Sequence, residues 1–149
     1  PAELILEITE STVMRDVPSA LATMRALRTL GVRLSIDDFG TGHSSLAQLR
    51  SLPVDEIKID KSFVMRLDTH PEDTVIVRSA IEIGHNMGLV VIAEGVEQAG
   101  SLDILQRLHC DMVQGYFFSK PVDADGFRRW HDEFEAAAAR APDPSEATA

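Results

Sequence analysis

The chain has one cysteine, Cys110, among its 149 residues, so no intrachain disulfide can form. A lone cysteine fits a reducing, cytoplasmic setting. Basic residues are scarce as well. Fourteen lysines and arginines stand against 24 aspartates and glutamates, for a formal net charge of −10. That balance speaks against binding DNA or RNA polymers, whose backbones call for a basic face. It does not exclude a nucleotide substrate, because cations held by acids make a site locally positive. No apolar stretch reaches about 18 residues, so no membrane-spanning helix is expected. The five histidines (His43, His70, His85, His109 and His131) form no HExxH pair and read as surface or helix-end residues. Gly40-Thr41-Gly42 makes neither a dinucleotide fingerprint nor a phosphate-binding P-loop.

What is present is a pair of adjacent carboxylates, Asp37-Asp38, closing the apolar run Val32 to Ile36 and followed by Phe39-Gly40-Thr41-Gly42. Neighbouring carboxylates repel, and a divalent cation is an inexpensive way to keep both ionised. The pair also reads as an Asp-rich turn that caps the next helix, since Asp favours both positions. The recurrence of the arrangement favours a site. Leu4 to Glu10 is an apolar run ending in acids, Glu56 to Asp60 carries Lys58, Leu89 to Ala93 runs into Glu94-Gly95-Val96-Glu97, and Met112 to Phe118 contains Gln114.

Between these runs lie segments with helical spacing: Val17 to Leu30, Ser44 to Leu52, Glu72 to Met87, Gln98 to Leu108 and Ala124 to Ala138. Strand and helix in alternation predict βα units around a parallel sheet, an α/β fold of the TIM-type (β/α) barrel class. Ligands gather at the C-terminal strand ends of such barrels. Five strands are counted where a complete barrel of about 250 residues has eight. We therefore expect an incomplete barrel of about five βα units over residues 1–137, the C-terminal part of a larger domain, with 138–149 as a disordered tail rich in Ala, Pro, Ser and acids.

The motifs are recognisable. In order they are Glu7-Ile8-Thr9-Glu10, Asp37-Asp38-Phe39-Gly40-Thr41-Gly42-His43-Ser44-Ser45-Leu46, Lys58-Ile59-Asp60-Lys61-Ser62-Phe63, Glu94-Gly95-Val96-Glu97 and Gln114-Gly115-Tyr116. Together they resemble the EAL domain, a family of bacterial phosphodiesterases specific for cyclic di-GMP. The resemblance covers residues 3 to 121 and implies a modified TIM barrel that hydrolyses cyclic di-GMP to linear pGpG with Mg²⁺ or Mn²⁺. It implies Glu7, Asp37 and Asp38 as metal ligands, serving a pair of ions. Lys58 and Glu94 become the catalytic residues, one polarising water or phosphate and the other acting as general base or metal support. Gln114 matches the amide near the metal-bound water, Glu97 a second acidic position of the Glu94 motif that supports substrate or water, and Glu10 anchors the loop after the Asp pair. That loop and the helix after it imply a homodimer contact.

Three departures accompany the resemblance. His43 stands where the family usually has tyrosine. The Glu-Ala-Leu signature is not in the chain, and neither is the asparagine that follows it in the family. Both supply metal ligands in active members, so the chain alone need not turn over. An inactive EAL-type receptor or scaffold that binds cyclic di-GMP remains the alternative, and another metal-dependent TIM-barrel hydrolase or lyase a more distant one.

Overall fold

The computed structural model describes residues 2–42 and 46–138. It divides into two compact units, one ending at Phe118 and the other beginning at Ser119. The first unit is built on five strands: β1 (Ile5–Thr9), β2 (Arg33–Phe39), β3 (Glu56–Ile59), β4 (Val90–Glu94) and β5 (Met112–Gln114). All pairings are parallel and the spatial order is the chain order. Parallel neighbours need crossovers, and these are α1 (Glu10–Arg15) with α2 (Val17–Thr29), then α3 (Leu46–Leu49), α4 (Lys61–Val64) with α5 (Pro71–Asn86), and α6 (Ala99–Arg107). The fold is α/β, as expected. Among the described residues β1 and β5 each pair on one side only, so the sheet is open and not a closed barrel.

Alternation along the strands separates two chemistries. Leu34, Ile36, Ile57, Ile59, Val91 and Ala93 are buried and point to the helices, where they meet Met24, Val77, Ile81 and Leu105 in one core. Full burial of each large apolar side chain contributes about 1.5–3 kcal/mol. The other face of the same strands carries Glu7, Ser35, Asp37, Glu56, Lys58 and Glu94, one residue out of phase. The core thus fixes which way the polar residues look.

The N-terminal strand ends are pinned twice by one device. Asp55 Oδ2 accepts the Leu34 amide at 2.9 Å while its Oδ1 meets Arg28 at 3.1 Å. Asp111 Oδ2 accepts the Val91 amide at 2.8 Å and meets His85 Nε2 at 3.0 Å. Each aspartate precedes a strand and ties the neighbouring strand to the helix before it.

Two helices were not expected from the sequence, α1 and α4. Glu10, expected at the end of the first apolar run, is the first residue of α1. Asp60 caps α4 by accepting the Ser62 amide at 2.9 Å. The helix expected over Ser44 to Leu52 is seen as α3, and His43, Ser44, Ser45 and residues 139–149 lie outside the described residues. In the second unit, α7 (Ala124–Ala138) stacks the rings of Trp130 and Phe134 at 5.3 Å, with Phe127 at 5.8 Å from Trp130. Among the described residues no helix is long and apolar enough to cross a membrane.

Helix α5 approaches the sheet closely at Gly84, where an added Cβ would lie 2.4 Å from Val91 Cγ2 and 3.1 Å from Ile57 Cδ1. Alanine favours a helix by about 1 kcal/mol over glycine, but overpacking costs about 1–3 kcal/mol. Gly84→Ala is therefore expected to lower the urea midpoint, and an unchanged or raised midpoint would contradict this packing. Burial pushes the Cys110 thiol up to about 11. Iodoacetamide at pH 8 should label the native chain far more slowly than the urea-unfolded chain, whose thiol ionises near about 8.5.

Candidate active site

Lys58 sits in the middle strand and is only 5% exposed. Its Nζ lies 2.6 Å from Glu7 Oε1 on β1, 2.5 Å from Glu94 Oε1 on β4 and 3.9 Å from Asp37 Oδ1 on β2. Four strands therefore meet at one ammonium. Burial pulls the lysine toward its neutral form, but the hydrogen bonds to Glu7 and Glu94 outweigh it and hold the pKa above the usual value.

Asp37 and Asp38 do not behave as consecutive residues of a regular strand. The pairing of β2 with β3 shifts register between Ile36 and Phe39, and Asp38 takes a left-handed φ of 56°. The Asp38 amide donates to Asp37 Oδ1 at 2.9 Å. Asp37 thus faces Lys58, while Asp38 faces Asp60. Burial, then the charges of Asp37 and Asp60, push the Asp38 carboxyl above the ordinary carboxylate range. Asp60 is held below it: burial works the other way but is outweighed by the hydrogen bonds from Ser62 and Asp38. Sequence reasoning gave Asp60 no role. The available signal was its position two residues after Lys58, on the same face of an extended chain.

Glu10 is 4% exposed, and its Oε2 accepts the Gly40 amide at 3.2 Å. A Cβ on Gly42 would lie 2.6 Å from Glu10 Oε1, so α1 and the loop after β2 are packed without room for a side chain. Glu97 and Gln114 are exposed and do not join the Lys58 cluster. They line, with Glu94, Lys61, Met65 and Tyr116, an adjoining cavity of about 300 Å³. Gly115 lets β5 lie against the Val96 backbone, where a Cβ would fall 2.1 Å from the carbonyl oxygen.

The donor set suits a hard divalent cation: Glu7, Asp37, Asp38, Asp60 and Glu94 offer carboxylate oxygens only, around a single buried ammonium. Burial raises the Asp38 pKa most, and the neighbouring charges of Asp37 and Asp60 add to it against the opposing charge of Lys58. Glu7 and Glu94 are drawn onto the ammonium, and among the described residues no three acids, histidines or cysteines already converge at metal-holding spacing. The chemistry of the site fits a cation that is acquired rather than one caged beforehand.

Residues 1–121 match the family model described as the EAL domain. The chain belongs to the EAL domain family. It is 46% identical over 119 residues to the cyclic di-GMP phosphodiesterase NbdA of Pseudomonas aeruginosa, covering 80% of this chain and 15% of that protein. The EAL domain of Mycobacterium smegmatis DcpA is 42% identical and superposes with a TM-score of 0.81, over 89% of this chain and 59% of that one. The MucR phosphodiesterase solved as a c-di-GMP complex is 42% identical with a TM-score of 0.82, over 85% of this chain and 51% of that one. In Pseudomonas aeruginosa, MucR is a bifunctional diguanylate cyclase and cyclic di-GMP phosphodiesterase, of which this chain spans 18%. The chain thus spans less than a fifth of these two curated relatives and between 51% and 59% of the two solved chains.

The EAL-domain strand ends depend on Lys58 for their balance of charge. Lys58→Met should destabilise the chain by about 3 kcal/mol, at the lower end for breaking a buried ion pair because Glu7 remains half exposed. The stabilisation from Lys58 is present below its unfolded pKa of about 10.4 and is lost as the pH rises through the higher folded value. Urea melts across the alkaline range should show that loss in the native chain and lack the Lys58 contribution to it in Lys58→Met. Identical alkaline profiles would contradict the assignment.

Proposed function

We propose that the parent EAL domain to which these residues belong hydrolyses cyclic di-GMP to linear pGpG with the help of Mg²⁺ or Mn²⁺, and that this stretch alone need not turn over. The observation that carries the reading is the buried Lys58 ammonium joined by Glu7, Asp37 and Glu94 from three other strands. The names of the relatives, cyclic di-GMP phosphodiesterases, supply the substrate.

Glu7, Asp37 and Asp38 are the residues that would hold a pair of cations. Bound there, such cations polarise phosphate oxygens and lower the pKa of water. The chain's own groups do the rest. Lys58 presents an ammonium, held charged, to a phosphate oxygen or to the attacking water. Glu94 accepts the proton that the water gives up as its oxygen bonds to phosphorus. The opposite phosphorus–oxygen bond breaks, and the departing ribose oxygen takes a proton. Gln114 and Glu97, at the adjoining cavity, orient water or substrate, and Glu10 keeps the loop after Asp38 in place. A homodimer through that loop and α3, and a cytoplasmic setting, belong to the same proposal.

The test is chromatographic: the parent domain, extended upstream to a complete barrel, is incubated with cyclic di-GMP and Mn²⁺ beside the 149-residue chain, and pGpG is sought from the extended domain. The expected result is Mn²⁺-dependent pGpG, with Asp37→Asn at least about 100-fold slower and unchanged in circular dichroism. Near-normal turnover in Asp37→Asn would contradict its role. Tight binding of cyclic di-GMP without product would replace the enzyme by a receptor or scaffold.

A further inference from the structure

The contacts behind Asp38 assign a role to a residue that has so far appeared only as a helix cap. Asp60 follows β3, and its amide approaches the Phe39 carbonyl at 3.5 Å, so it sits directly behind the Asp pair. Asp60 Oδ1 is occupied twice by Ser62, by its amide at 2.9 Å and by its hydroxyl in a short hydrogen bond. Asp60 also shares a hydrogen bond with Asp38. The same first turn of α4 supports the far side of the loop, where the Phe63 ring would stand 3.2 Å from a Cβ on Gly40. Asp38 itself takes a left-handed backbone, a conformation that aspartate tolerates better than most residues.

We propose that Ser62, acting through Asp60, is a positioning residue for Asp38 and sets the affinity of the Asp pair for a divalent cation. The proposal rests on the reading of Asp38 as a cation ligand. A carboxylate that faces a second carboxylate is unfavourable unless something fixes both. Ser62 locks Asp60 with two donors, so that Asp60 presents a defined oxygen to Asp38 instead of rotating away. The two acids then keep one arrangement, poised for a cation to relieve their repulsion. Outer hydrogen bonds that orient metal-binding carboxylates are worth about 10–100-fold in affinity.

The test measures Mn²⁺ binding to the full 149-residue chain by the electron paramagnetic resonance of free Mn²⁺, with a circular-dichroism melt of each variant. Ser62→Ala is expected to weaken Mn²⁺ binding about tenfold, and Ser62→Thr, which keeps a hydroxyl, to restore it. Asp60→Asn keeps an oxygen for the Ser62 cap but gives Asp38 a donor in place of a carboxylate, so it too should weaken binding about tenfold. It decides the matter if Ser62→Ala does not fold. A lower melting temperature in Ser62→Ala with Mn²⁺ affinity within about twofold of the native chain would make Ser62 a cap alone and overturn the proposal. The same holds if Ser62→Thr fails to rescue. Absence of Mn²⁺ binding in the native chain would overturn the cation reading itself, and this proposal with it; native binding with unaffected variants would overturn only the proposal.

Discussion

A lysine ammonium almost wholly removed from water cannot stay charged unless opposite charges replace its hydration, and in this chain the replacements come from three different strands. That requirement ties the site to the sheet. Glu7, Asp37 and Glu94 reach Lys58 because β2 and β4 flank β3 and β1 lies one strand beyond β2, and because each acid falls on the inward phase of its strand. A slip of one residue in any strand would turn its acid toward the apolar helices and its core residue toward Lys58. The apolar face prevents such slips, and the Asp55 and Asp111 ties pin the opposite strand ends.

The site holds more negative charge than Lys58 offsets. Asp38 is pushed toward protonation, by burial first and then by the charges of Asp37 and Asp60. The bulge in β2 gives the two adjacent aspartates different tasks, one on the lysine and one against Asp60. The EAL domain thus combines a fixed ammonium with carboxylates left under electrostatic pressure. Such a constellation is suited to taking up divalent cations and, with them, a phosphodiester.

Much of this was legible in the sequence, for physical reasons. The runs around Ile36 and Ile57 alternate at period two against polar and charged residues, so strand and inward residues could be read together there, whereas the run around Val91 is continuously apolar and shows its acid only at its end, Glu94. The longer helices α2, α5 and α6 show apolar spacing closed by Gly31, Gly88 or a short loop. Helices α1 and α4, six and four residues long, are too short to show an apolar repeat and are fixed by what they pack against. The divergence of Asp38 from Asp37 arises from a bulge, which is a property of pairing and not of local sequence. Asp60 was hidden for the same reason: its partner is reached only when β2 and β3 lie side by side. The placement of Glu97 and Gln114 at a neighbouring cavity depends on the Gly115–Val96 contact, again a tertiary feature.

The measurement that tests the central claim most directly is nitrogen-15 magnetic resonance of the Lys58 ammonium in the chain, recorded as Mn²⁺ is added. The account predicts a slowly exchanging ammonium signal, distinct from the solvent-exposed lysines, that stoichiometric Mn²⁺ broadens before theirs. A Lys58 signal that exchanges like a surface lysine, or one that Mn²⁺ leaves untouched, would contradict it.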